Sequence, residues 1–445
     1  MLKKSFFGLS RSQIEYELLP ARLPEPDRVA PSKKVTLFHT RNGNQNAPAA
    51  LQVGDKVKTG QKISLFADDP AYVTSSVTGT ISSISPYSGD FGKTYNAIAI
   101  NIDESEVLDD QFKKQVQRPD LAGIIDYLSF LPGNPQLSVL SDPETKIHTI
   151  VIMGTDSDLL IGTNQAIVQS RLDAVQKGIG ILRDVTGIEK IILITAGESM
   201  QGYGHIGAQV KNIDTAYPAA LPHMIMKNVL GEVVPAGKTC TDMGVCFLTA
   251  EATAAIGNAF SDQQIPVRKI LTLVTKDGKQ RLIETAIGTP IRDILDTYGV
   301  SINEEDRIIF GGPMAGSAVY SLDHPVMPDT DGMVVIDRSD AAYSSDYPCI
   351  NCGDCVRVCP TQIQVHMLVR FLEAGQYEEA ADSYDLYSCI ECGLCSFVCV
   401  SKIPIFQYIR LAKYELERAA ASEAMDTMET TEETEPTEGA EATDA

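Results

Sequence analysis

Eight of the ten cysteines in this 445-residue chain fall into two runs of one pattern. The first is Cys349-x2-Cys352-x2-Cys355-x3-Cys359-Pro360 and the second Cys389-x2-Cys392-x2-Cys395-x3-Cys399, with twenty-nine residues between them. Three cysteines at a spacing of three wrap a loop around three corners of a cubane. The fourth lies too far along to reach the same cluster comfortably, so it ligates the other one. The spacing therefore predicts two [4Fe–4S] clusters with crossed ligation. One takes Cys349, Cys352, Cys355 and Cys399; the other takes Cys389, Cys392, Cys395 and Cys359. Zinc, which usually takes four ligands in two pairs, and disulfides are the weaker readings of eight ligands at this spacing. Val400 stands where a proline often follows the fourth cysteine, but proline is not a ligand. Between the runs, Gln364–Tyr384 places Leu368, Phe371 and Leu372 on one helical face, which predicts a helical dicluster ferredoxin domain and a role in electron transfer.

The remaining cysteines, Cys240 and Cys246, have no other Cys or His beside them and read as small buried hydrophobes. Met1–Leu9 has a basic pair, Lys3 and Lys4, but no apolar stretch of the signal-peptide kind, and reduced thiols suit a cytoplasmic protein. No run of 18 apolar residues is present, so no membrane span is expected. The net charge of −22 argues against nucleic acid as a partner, because phosphate contacts need clustered Lys and Arg. Nine acidic and no basic residues lie from Ala419 onward, and Glu429–Ala445 has almost nothing to bury; an acidic disordered tail over 419–445 is expected.

Upstream, Val35–Asp103 reads as short strands: Val53–Val57 and Thr59–Ile63 as a strand, tight turn and strand, and Ser76–Ile81 as a half-buried strand. These phrases resemble the small β-barrel of biotinyl and lipoyl carriers, but no Lys lies between Lys62 and Lys93 to serve as acceptor, so a structural β-module is favoured. His148–Met153 and Lys190–Thr195 read as buried strands with helix Asn164–Thr186 between them, a parallel βαβ unit. Pro266–Leu295 reads as a hairpin about Asp277-Gly278 followed by a helix after Gly288-Thr289-Pro290, and Ile308–Gly316 as a strand entering a Gly-Gly-Pro turn.

Several phrases then carry a family resemblance over about Val35–Glu415. They are Ala216-Tyr217-Pro218 with Leu230–Gly237, Asp242-Met243-Gly244-Val245, Phe310–Gly316, and Ser401–Pro404 with Gln407–Arg410. With this module order the chain resembles the C subunit of Rnf-type ion-translocating oxidoreductases. Its middle part is similar to the NADH-binding flavoprotein subunit of respiratory complex I. The resemblance implies a multidomain α/β plus α+β chain: an N-terminal segment (1–34), a barrel-sandwich β-module (35–105), a Rossmann-like α/β domain (106–235), a β-grasp module (236–340), the ferredoxin domain (341–418) and the tail (419–445).

The resemblance further implies an electron-transfer subunit, peripheral on the inner face of the membrane. Its partners would be integral-membrane subunits and a soluble carrier such as ferredoxin or NADH. It also implies FMN and NADH binding by a Gly-rich loop, and here the chain departs from the family. The corresponding stretch, Ala122–Gly133, has lost most of its glycines. The expectation is a scaffold whose flavin site is eroded. Asp156, Asp158 and Tyr217 are the residues that would serve a nucleotide if one were kept; for Asp156 and Asp158 the loop or helix-cap reading is favoured, and Tyr217, with Pro218, reads equally well as a turn residue. The alternatives are an FMN-dependent NADH dehydrogenase subunit, with the clusters as exit wire, and a soluble cobalamin-reductase-like protein.

Overall fold

A computed structural model describes residues 23–30, 32–40, 49–66, 71–89, 93–115, 119–197 and 205–432. The chain divides into two compact units, with the division between Ala342 and Tyr343.

The first unit begins with a four-stranded sheet in the order Lys34–Thr40, Thr94–Ile102, Gly79–Ser88, Lys56–Val57. Val35, Leu37, Ile81, Ile98 and Ile100 form its core. The strand–turn–strand expected over Val53–Ile63 is resolved differently. Lys56–Val57 pairs with Gly79–Thr80, whereas Lys62–Ile63 pairs with Val73–Thr74 in a separate two-stranded sheet. Each short strand thus finds a distant partner, which local alternation cannot announce. Of the expected N-terminal segment, residues 1–22 and 31 lie outside the described residues, and Asp27–Arg28 adds a parallel edge strand against Ile283–Glu284.

The apolar run Thr149–Met153 is wholly buried, as strands covered on both faces by helices must be. It lies in a parallel sheet ordered Gln209–Ile213, Ile191–Ala196, Thr149–Met153, Val245–Thr249. The last of these strands lies beyond 235, so the α/β layer reaches further along the chain than the sequence suggests. The helix expected over Asn164–Thr186 is two, Thr163–Ser170 and Leu172–Thr186. Arg171 leaves helical geometry between them and places a guanidinium nitrogen 2.7 Å from Glu284. Helices Leu172–Thr186 and Ala250–Asp262 meet at glycines: a Cβ on Gly178 would come within 2.0 Å of the Thr253 carbonyl oxygen, and one on Gly257 within 2.1 Å of that of Ala174.

The next sheet is mixed. Its order is Asp27–Arg28, Gln280–Ala286, Arg268–Val274, Gly332–Ile336, Arg307–Phe310, Ser317–Val319. The hairpin turns at Asp277-Gly278 and the helix Ile291–Thr297 follows Pro290. Lys269, on the central strand Arg268–Val274, is fully buried; its ammonium contacts Glu251 and lies 2.9 Å from Asp331. Glu251 also accepts the Ile270 N–H at 2.8 Å. Around this triad, Asn164 accepts the Glu251 N–H at 3.2 Å, and Thr163 bonds both Thr272 and the Asp331 carbonyl. This polar seam ties the first turns of two α/β helices to the mixed sheet, within one unit.

The second unit is helical: Asp354–Val358, Val365–Glu373, Tyr377–Ser383, Leu394–Val398 and Ile405–Glu432. Leu368, Val369, Leu372, Leu386, Ile403 and Ile409 make its core. The expected Gln364–Tyr384 helix is interrupted at Gly375, which adopts φ +70°. The last helix passes Ala419, where the acidic tail is expected to start; residues 433–445 lie outside the described residues.

Candidate metal centre

The two cysteine runs fold alike. Non-glycine residues take positive φ at Asn351 and Glu391 (56° and 55°) and at Gln362 and Lys402 (62° and 58°); Gly353 and Gly393 do so at 75° and 69°. Each pair is forty positions apart, the offset of the repeat. Non-glycine residues at positive φ are uncommon, and each costs on the order of 1–3 kcal/mol, a strain that persists where a site imposes it. The turns are pinned from the following helix of the same run. Arg370 donates to Asn351 at 2.8 Å, and Lys413 lies 2.8 Å from both Glu391 and the Cys389 carbonyl oxygen. After each turn a five-residue helix carries the third cysteine, with the fourth as its C-cap.

The sulfurs sort across the runs. A small cavity is lined by Cys349, Cys352, Cys355 and Cys399, with Ile350, Val369, Ile403 and Ile405 as apolar walls. Cys399 reaches the first run because the chain around it is clamped there: Ser345 N–H donates to the Lys402 carbonyl at 2.9 Å and Ser401 Oγ to that of Pro348 at 3.4 Å. Burial pushes the Cys355 thiol up to about 12, and neighbouring Cys349, Cys352 and Cys399 add to the shift. Burial does the same for Cys392, where the charges that add are those of Cys389 and Cys359. Cys359 of the first run thus lies within electrostatic reach of Cys389 and Cys392 of the second. Cys395 is raised well above the ordinary value, first by burial, then by Cys389 and Cys392, and last by Cys355, where the two groups approach each other. Such thiols stay protonated near neutral pH until a metal displaces the proton. Among the described residues no three Cys, His, Asp or Glu side chains converge as a site for a single metal ion; the corners of a cubane ask for a wider spacing. The first group is also the more open: Cys352 is exposed, while Cys392 and Cys395 are buried.

Cys240 and Cys246 are free, and burial pushes their thiols up to about 11 and about 12. Cys246 packs inside the parallel sheet.

The structure separates the three residues considered for a nucleotide. Asp156 accepts the backbone N–H groups of Asn164 and Gln165 at 3.0 and 3.2 Å, at the start of helix Thr163–Ser170. Asp158 accepts those of Met314 and Ala315 at 3.2 and 2.8 Å, which ties it to the Gly-rich turn that the sequence singled out separately. A Cβ on Gly312 would meet the Asp158 carboxyl carbon at 2.3 Å, so the turn needs glycine there. Both carboxylates line a cleft with Gly311, Gly316 and Asp331; Tyr217 does not, lying in the turn before helix Pro222–Ile225. Where the Gly-rich loop would be, Leu121–Leu128 is a helix capped by Asp120, which accepts the Gly123 N–H at 2.7 Å; the helix buries Ile124 and Leu128. The first N–H groups of helix Ala250–Asp262 are also taken, by Asn164 and Thr249.

Burial, then the charge of Asp331, raises Asp156 to about 6. A carboxyl raised on folding favours the folded state while protonated, so stability falls as pH climbs from about 4 to about 6. The Asp156→Asn variant is expected to lose about 2 kcal/mol less than wild type between pH 4.5 and 7.5. Urea midpoints at the two pH values measure this, and parallel curves for the two proteins would contradict it.

Two family models match: the 4Fe-4S dicluster domain over residues 348–404 and the RnfC barrel sandwich hybrid domain over 26–105. The C subunit of the proton-translocating ferredoxin:NAD(+) oxidoreductase complex of Clostridium ljungdahlii is 28% identical over 90% of this chain and 92% of its own length. Its counterpart in the Na(+)-translocating ferredoxin:NAD(+) oxidoreductase complex of Acetobacterium woodii is 24% identical over 74% and 79%. That of the ion-translocating oxidoreductase complex of Pseudomonas aeruginosa is 29% identical over 62% of this chain, which spans 36% of that longer protein. A solved chain of an NAD+-reducing [NiFe]-hydrogenase shows a partial likeness, with TM-score 0.43 at 13% identity over 76% of this chain and 72% of that one. The chain carries an RnfC barrel-sandwich module followed by a 4Fe-4S dicluster domain, and is a relative of the C subunits of Rnf-type ion-translocating oxidoreductases.

Proposed function

We propose that this chain is the iron–sulfur electron-transfer subunit of an Rnf-like complex, peripheral on the inner face of the membrane beside integral-membrane subunits. No helix among the described residues is long and apolar enough to cross a membrane. Two [4Fe–4S] clusters, one in each cysteine group, supply one-electron transfer. The observation that carries this reading is the grouping of Cys399 with Cys349, Cys352 and Cys355 around one cavity. The chain's own residues hold the sulfurs by turn geometry, bury them, and place donors near them, such as the Glu391 N–H 3.4 Å from Cys389 Sγ; burial and such bonds set the potential. We read the parallel sheet as a Rossmann-like α/β domain. The mixed sheet, whose central strands Arg268–Val274 and Gly332–Ile336 run parallel, we read as a β-grasp module.

In this reading the α/β domain is a scaffold, and electrons enter and leave through the clusters and a soluble carrier. The capped helix Leu121–Leu128 and the backbone N–H groups already taken by Asp156, Asp158 and Thr249 support it, because a phosphate would need free backbone donors. Anaerobic reconstitution tests it. About eight iron atoms per chain and no flavin are expected; a flavin spectrum bleached by NADH would establish the dehydrogenase alternative instead.

A further inference from the structure

We infer that His366 is a positioning residue for the cluster held by Cys349, Cys352, Cys355 and Cys399: its ring N–H donates to that cluster and raises its midpoint potential. The inference rests on the proposed ligand grouping.

His366 stands in the first turn of helix Val365–Glu373 and lines the four-cysteine cavity. It also lines an open cleft with Asn351, Arg357 and Arg370, so the ring lies between the cavity and solvent. Its Nδ1 is buried and has no hydrogen-bond partner. A buried polar atom left unpaired costs about 1–3 kcal/mol, and beside a four-cysteine cavity the group that would complete it is one the chain itself does not hold. Other rings bond protein oxygens: Nδ1 of His148 lies 2.9 Å from Thr149 Oγ1, Nδ1 of His324 2.9 Å from the Pro325 carbonyl, and His39, whose Nδ1 is also unpaired, reaches the Ala71 carbonyl at 3.0 Å through Nε2. The other side chains of the cavity offer no competing donor. Ile350, Val369, Val400, Ile403 and Ile405 are apolar, and the Ser401 hydroxyl already donates to Pro348. Iron-bound sulfur is the acceptor this arrangement lacks, and a proton on Nδ1 supplies the donor. Reduction adds negative charge to the cluster, so the bond strengthens in the reduced state and favours it.

The test uses the full-length, reconstituted chain and potentiometric titration followed by electron paramagnetic resonance. His366→Leu keeps an apolar side chain in the cavity but removes the donor. It is expected to shift the reduced-to-oxidised ratio of the first group's cluster about tenfold toward oxidised, ~59 mV downward for one electron. The second group's cluster should stay in place as an internal reference. His366→Gln, which restores a donor, should recover at least half of the shift. If His366→Leu does not load, His366→Gln decides: a potential within about threefold of the wild-type ratio supports the role and a larger fall overturns it. An unchanged potential in a His366→Leu chain with about eight irons, or a His366→Gln chain as low as His366→Leu, also overturns it while leaving the ligand grouping intact. A wild-type chain that binds only about four irons instead removes the grouping itself.

Discussion

Cys359→Ala is expected to abolish the cluster of the second run, although Cys359 belongs to the first. Iron should fall from about eight to about four per chain. The remaining paramagnetic signal should match that of a Cys392→Ala chain and differ from that of Cys352→Ala. The reason is geometric. Cys359 caps the short helix Asp354–Val358 and contributes to the electrostatic surroundings of Cys389 and Cys392. Cys399, clamped beside Pro348 by Ser401, lines the first run's cavity, so Cys399→Ala should give the reverse pattern. A Cys359→Ala chain that lost the first-run signal would refute the crossed assignment. Cys355 and Cys395 also sit in the helical core, so a missing cluster leaves an unfilled space there and this unit should lose stability with its iron.

The second large effect lies far from any sulfur. Lys269→Met should destabilise the first unit by about 3–5 kcal/mol, read as a lower urea midpoint. Lys269 has no exposed surface and Glu251 only 4%. Removing the ammonium leaves Glu251 and Asp331 facing each other without a cation between them. Burial pulls the lysine's pKa down, but the flanking carboxylates of Asp331 and Glu251 together outweigh it, raise the pKa above its ordinary value and keep the lysine charged. Adding Glu251→Gln to Lys269→Met should restore part of the loss, because one unpaired charge is removed. A single variant that unfolds within about 1 kcal/mol of wild type would show the triad to be structurally idle.

These two predictions differ in how far the sequence exposes them. The cysteine spacing is short-range chemistry and survives as a pattern in the chain. The same holds for the strands Thr149–Met153 and Ile191–Ala196, which are continuous apolar runs, and for the turn at Asp277-Gly278. The Lys269 seam is different: its partners lie 18 and 62 positions away, and nothing in the local pattern marks a lysine on a strand as buried. The one available signal is Glu251 standing in the Ala-rich stretch Ala250–Ala255, where an amphipathic helix would not place a charge. The break at Arg171 has the same origin, a residue leaving its helix for Glu284 more than a hundred positions on. Asp156 and Asp158 are legible in the sequence as carboxylates following a strand. Their engagement with backbone N–H groups emerges only when helix Thr163–Ser170 and turn Gly311–Gly316 are placed around them.

The clamp between Ser345–Pro348 and Ser401–Lys402 has a consequence for biogenesis. A ribosome makes Cys349, Cys352 and Cys355 early, yet with crossed ligation their fourth partner is Cys399, while the second group is complete only at Cys395. A nascent chain therefore exposes six waiting ligand thiols before any cubane can be fully ligated, and then completes both sites within four residues. Delivery of the clusters by a carrier should accordingly be post-translational and nearly concerted, with half-loaded chains scarce.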